Sequence, residues 1–252
     1  MSTMFESTIP PGEPELMRAS KYVRYLKGET TQPNAPGLST HGDLSPSLRD
    51  DLSRFDQHEG GAEMLEVMAA CVRHSERLTM QLHCGQHVVP LTVFPQERLA
   101  YSPLPMEELL SMPMHEMRVI HIEPAALHPP HSGDDNPIGQ PQLYHPLAPL
   151  LWALALRGAR DALLPEIAGS AAYRIAPAID LTPMLNSDLL VNAVERLRRE
   201  TTNLRSLAEW PGLDTERASR LLNAIYLQSA LIVTRSHPDA VSDSWFGALS
   251  QR

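Results

Sequence analysis

The 252-residue chain predicts an α+β fold: a small α+β module, a Pro-rich linker, and a mainly helical domain. Three observations carry this. An alternating apolar run before Gly85-Gln86 is answered by a second strand-like run after it, helical periodicity dominates beyond residue 147, and seven prolines fall between positions 124 and 149. That proline density is incompatible with continuous helix or a central strand. The expected boundaries are therefore an N-terminal arm (1–60), the α+β module (61–123), a Pro/His-rich linker (124–146), a helical domain (147–236) and a tail (237–252).

The arm is polar and punctuated by Pro10, Pro11, Pro14, Pro33, Pro36 and Pro46, so it is expected to be largely flexible. Two pieces interrupt it. Residues 16–27, with Met17, Val23, Tyr25 and Leu26, can form a short docking element, and residues 48–55 a short amphipathic one.

In the module, Leu65, Met68, Ala69 and Val72 repeat at helical spacing. Leu78, Met80, Leu82 and Cys84 then alternate with polar residues as in a half-buried strand. Gly85-Gln86 fits a two-residue turn with glycine first, returning the chain as a second strand to Phe94. Pro90 predicts an edge position for that strand. A third strand is expected near 98–101, a helix near 106–112 and a strand near 118–123.

Beyond the linker, residues 147–156 are apolar nearly all round, which predicts a helix buried in a core. Residues 159–168 are expected to form another, broken near Pro165. Asn186 or Ser187 can cap a helix that turns Leu190, Ala193, Val194 and Leu197 inward. Thr202 or Asn203 can cap a short second one, which Pro211-Gly212 stops. Asp214 can cap a third, carrying the stripe Ala218, Leu221, Leu222, Ile225 and Ser229. Leu231-Ile-Val-Thr234 reads as a strand.

The segments Leu204-Arg-Ser-Leu-Ala208, Gly212-Leu213, Arg217-Ala-Ser-Arg-Leu-Leu222 and Ala230-Leu-Ile-Val233 resemble the winged helix-turn-helix domains of bacterial regulatory and signalling proteins. The resemblance covers about 50 residues, and nothing comparable marks the N-terminal half. It implies that the third helix is the contact element, with Arg217, Arg220, Asn223, Tyr226 and Gln228 as candidates for binding a partner or DNA. Tyr226 and Leu227 can equally be core. Between Glu195 and Arg235, seven arginines face five acids, and no clear second wing strand follows Arg235. Phosphate contacts dominate affinity for DNA, so this balance favours a protein partner.

Catalytic motifs are sparse. His128-Pro-Pro-His131 with Asp134 and Asp135 offers imidazole and carboxylate ligands for a metal, but a proline loop holds them poorly. His83 and His87 flank Cys84, yet strand alternation points His83 and Cys84 to opposite faces. No phosphate loop or nucleophile elbow appears. No cofactor is expected.

Composition bounds the rest. A net charge of −9 argues against a surface that binds nucleic acid or anionic membrane throughout. The longest apolar run is too short for a bilayer span. No leader is legible in residues 1–14, and two cysteines make no disulfide framework. Only Lys21 and Lys27 are lysines, a bias that fits a GC-rich bacterial genome. The expectation is a non-enzymatic, cytoplasmic regulatory or adaptor protein working through protein contacts. The alternatives are a DNA-binding transcriptional regulator and a metal-dependent enzyme using the His/Asp loop.

Overall fold

The computed structural model describes residues 16–26, 44–55, 62–130 and 139–236, and it shows a mixed α+β fold. Within residues 16–26, strand β1 (Met17–Arg18) leads into helix α1 (Ala19–Leu26), and α2 spans Pro46–Phe55. The short strand β2 (Ala62–Glu63) opens onto α3 (Met64–His74), followed by β3 (Leu78–Cys84) and β4 (His87–Phe94). Next come β5 (Leu99–Tyr101), α4 (Met106–Ser111) and β6 (Arg118–Pro124). All of these lie where hydrophobic periodicity and turn residues predict, apart from β1 and β2.

These strands form one antiparallel sheet in the order β2-β6-β3-β4-β5-β7, where β7 is Tyr144–Pro146, and β1 also pairs with β4. Cys84 lies opposite His87, so the hairpin loop has two residues, and Gly85 takes the positive φ (59°) that such a turn requires. Between β3 and β6 the register slips at Gln81/Leu82, leaving Ile120 as the extra residue of a bulge.

Pro90 corrects one expectation. β4 is interior, not an edge, because β3 lies on one side and β1 and β5 on the other. Yet β1 reaches only Val88 and β5 begins only at Thr92. Pro90 falls in the gap between them, where its missing N–H deprives no neighbour.

The anticipated arm and linker also contain structure. Leu44, Leu48 and Leu52 are at most 4% exposed, and α2 packs on α3. Tyr22 of α1 is buried, whereas Met17 is 42% exposed. At the far end of the expected linker, β7 pairs with β5 and sets the Tyr144 ring edge-on to Tyr101 and tilted against Phe94.

Helix α5 (Leu147–Arg157) buries Leu147, Leu150, Leu151, Trp152, Leu154 and Ala155, and packs against both α3 and the later helix α8 (Thr215–Leu227). Residues 159–168 form no helix; they run as an irregular loop. Pro165 cannot donate to the carbonyl four residues back, and side chains within the loop and from α8 hold the backbone instead. Arg160 donates to the carbonyls of Ala162 and Leu163, and its guanidinium also meets Glu66 at 2.5 Å and Glu63 at 3.2 Å.

Strand β8 (Ala172–Ile175) was not foreseen. It is central in a second sheet, ordered β10-β8-β9, with β9 at Thr202–Asn203 and β10 at Leu231–Thr234. Helix α6 (Asp188–Arg199) is capped by Ser187, α7 (Leu204–Ala208) by Asn203 and α8 by Asp214, each side chain accepting an N–H of the first turn. Such a cap contributes about 1 kcal/mol, whereas each fully buried leucine of α8 contributes about 1.5–3 kcal/mol. Packing therefore fixes the helix, and capping fixes its start.

One continuous apolar cluster runs from Leu44 to Ala230 and takes in α2, α3, α5, α6 and α8.

Candidate functional site

The five candidate residues all lie on or just after α8, and the fold treats them very differently. From Ala218 to Gln228 every residue of this segment is buried except Arg220 and Tyr226. α5 covers one side, α7 another, and the 158–164 loop crosses it.

Asn223 is fully buried, and its carboxamide is used at both ends. Its Oδ1 accepts the Leu164 N–H at 2.9 Å, and its Nδ2 donates to the Ala162 carbonyl at 3.0 Å. Gln228 is 2% exposed; it donates to the Ala148 carbonyl at 3.1 Å and accepts from Arg98 at 3.1 Å. Neither can meet a partner, which corrects the expectation for both. Alternating polar and apolar residues along a helix look alike whether the polar ones face solvent or satisfy a loop.

Arg220 is also largely consumed. Its side chain is 15% exposed, with Nη1 donating to the Gly158 carbonyl at 2.8 Å and Nε bonded to Glu216 at 2.9 Å. Arg217 remains in solvent at 64% exposure, beside Asp214 and bonded to the Gly212 carbonyl at 3.0 Å.

Tyr226 is the candidate that the structure brings to a cavity. With Ser229 and Leu231 it forms one wall of a half-open cleft of about 330 Å³, and Ala69, Val72 and Arg73 of α3 form the other. Burial pushes the Tyr226 phenol above its ordinary pKa; the Glu166 carboxylate adds to this and Arg73 opposes it. Arg73 is held in place by Glu166 and by Asp51 at 2.5 Å, and Asp51 also binds His74 Nε2 at 2.7 Å. Burial acts against the Asp51 carboxylate, but hydrogen bonds and charge from His74 and Arg73 outweigh it and lower its pKa.

Two further surfaces carry exposed apolar side chains. α6 turns Val191 outward at 39% exposure, and further along the same helix Arg196 and Arg199 pair with Glu200 (2.5 Å) and Glu195 (3.6 Å). The Arg196 guanidinium also sits 4.1 Å over the Trp210 ring. The second surface is β10, where Ile232 is 43% exposed.

Of the candidate metal ligands His128, His131, Asp134 and Asp135, the last three lie outside the described residues. Among the described residues, no group of three or more His, Cys, Asp or Glu side chains is placed to hold a metal, and no helix is long and apolar enough to cross a membrane. Cys84 continues the inner face of β3, and burial pushes its thiol up to about 11. A nucleophilic thiol needs the opposite shift.

Sequence reasoning missed Arg160, Glu63, Glu66 and Arg98, which tie the module to the helical part. Nothing local marks them, because each partner is 90 or more positions away in the pairs Arg160–Glu63, Arg160–Glu66 and Arg98–Gln228.

The molecule thus belongs to the mixed α+β class, with a cleft where α3 meets the end of α8. No known protein family, curated protein or solved structure matches the chain.

Proposed function

We propose that this is a non-enzymatic regulatory or adaptor protein of the bacterial cytoplasm, acting through protein contacts on a winged-helix-like scaffold. The observation that carries this reading is the burial of α8. A helix that reads DNA must lay an open face along the major groove. Here the face from Ala218 to Gln228 is closed, and Asn223, Gln228 and most of Arg220 are occupied inside the chain. Charge supports the same reading, since Arg196, Arg199 and Arg217 each stand beside a carboxylate.

The test has two arms. Anisotropy of labelled duplex DNA at low salt is expected to show no saturable binding by the full chain. A photo-crosslinking amino acid placed at exposed Val191 or Ile232 in cells is expected to give discrete protein adducts. Tight, steeply salt-dependent duplex binding without protein adducts would reverse the assignment.

A further inference from the structure

The hydrogen bonds fix which backbone groups face the open side of β10. The Ala176 N–H donates to the Ala230 carbonyl at 2.8 Å, and the register continues with Leu231 opposite Ile175 and Ile232 opposite Arg174. Bonded and non-bonded pairs alternate in an antiparallel ladder. Ile232 and Thr234 therefore direct N–H and C=O toward β8, while Leu231 and Val233 direct theirs away from it. β10 is the last strand on that side of its sheet, and no described backbone group bonds the outward groups of Leu231 and Val233.

The cleft between α3 and α8 lies beside the first residue of this strand, with Leu231 as a shared wall and Ala69 and Val72 opposite. Two exposed arginines lie on or near the strand: Arg235 follows it directly, and Arg174 stands on β8 opposite Ile232. Among the described residues, the Arg174 guanidinium bonds the Arg198 carbonyl of α6, and Arg235 bonds the carbonyls of Ala168 and Glu166. Neither has a carboxylate partner among the described residues, in contrast to Arg196, Arg199 and Arg217.

We propose that β10 is an acceptor edge for an extended segment of a partner protein, which adds as a further strand, seats an apolar side chain in the cleft and sets acidic residues against Arg174 and Arg235. This rests on the protein-contact reading and specifies its site. Main-chain bonds provide the affinity of such an addition, and side-chain pockets provide its selectivity. Outward N–H and C=O groups complement another peptide backbone, whereas a phosphate backbone, which only accepts, would leave the carbonyls unmet.

The test is anisotropy of labelled nine-residue peptides that alternate leucine with glutamate, titrated with the full chain. Saturable binding is expected, weakened at least tenfold when lysine replaces glutamate or when alternate backbone nitrogens are methylated. Val233→Pro deletes an outward N–H without touching the bonds to β8, and should weaken binding at least tenfold. Arg174→Glu should do the same for the acidic peptide, and Val72→Trp, which fills the cleft, for all of them. If Val233→Pro does not fold, the methylated peptides report the same contact. No binding, or binding indifferent to methylation and to these variants, overturns the proposal, as does self-association that Val233→Pro abolishes. Protein adducts from Val191 with none from Ile232 would sink the edge assignment and leave the adaptor reading standing. Adducts from neither position would sink both.

Discussion

Asn223 on α8 holds Leu164 in the loop after α5: a buried carboxamide oxygen receives a backbone N–H from 59 residues away, at 2.9 Å. The same side chain returns a bond to the Ala162 carbonyl, so with Arg160 it meets backbone groups that a helix ladder would have paired. Asn223→Ala leaves a buried N–H without a partner, which costs about 1–3 kcal/mol. Urea denaturation should show the midpoint falling with an unchanged slope. A loss under about 0.5 kcal/mol, the range of neutral surface changes, would mean that the loop does not depend on this contact.

Arg160→Met should destabilise through the carboxylates it leaves behind. Glu63 and Glu66 share that guanidinium, and their side chains are 22% and 13% exposed. Burial raises the Glu63 pKa above its ordinary value, Arg160 opposes this, and Glu66 adds to it. A folded pKa above the unfolded one means that the ionised form is disfavoured on folding at neutral pH. That penalty grows without the arginine and is relieved as pH falls through the folded pKa. The deficit of Arg160→Met is thus expected to be about 3 kcal/mol or less at pH 7, the groups being partly exposed, and to shrink as pH falls through the folded pKa of Glu63. Glu63→Gln in the same background should recover part of it.

Asp51 has the opposite sign. Its folded pKa lies below the ordinary carboxylate value, so its contribution is present above about pH 4 and is lost as pH falls through the folded pKa. Asp51→Asn should cost about 1 kcal/mol at pH 7, and its stability curve should converge on wild type in acid. Parallel curves down to pH 2 would exclude a charge contribution.

With a pKa near 11, Cys84 exposes little thiolate at pH 8. Even allowing for the greater nucleophilicity of a basic thiolate, its alkylation should run about twentyfold slower than that of free cysteine. Cys71 is fully buried, its pKa is raised first by burial and then by Glu76, and its Sγ donates to the Glu76 carbonyl. It should react only on unfolding. Rapid labelling of native protein at either position would contradict the packing of β3 or α3.

The elements set by local chemistry were legible in the sequence. The Gly85-Gln86 hairpin, the caps Ser187, Asn203 and Asp214, and the Gly212 turn each depend on a few adjacent residues. Gly212, at φ 80°, supplies the backbone freedom that stops the helix, but a Cβ there would also lie 2.3 Å from Leu189 Cδ1. The turn is thus a packing contact with α6, which no local rule announces. What escaped depended on long-range partners. β8 is four residues whose strand character comes from β10 and β9, and the apolar residues Leu163, Leu164 and Ile167 suggested helix because they are buried in an irregular loop. Among the contact candidates, Arg217 and Tyr226 remain accessible, while Asn223 and Gln228 were misjudged. Sequence periodicity reports that a side chain is polar, not whether its partner is water or a carbonyl from another element.

The apolar cluster that joins Leu44 to Ala230 leads us to expect that the described parts of both halves unfold together. α3 and α5 share their buried faces, so neither half could melt while leaving the other's interior dry. A calorimetric scan should trace one peak whose van't Hoff and measured enthalpies agree. For the same reason, fragments divided within residues 131–138 would each expose a greasy half-core and collect in the insoluble fraction.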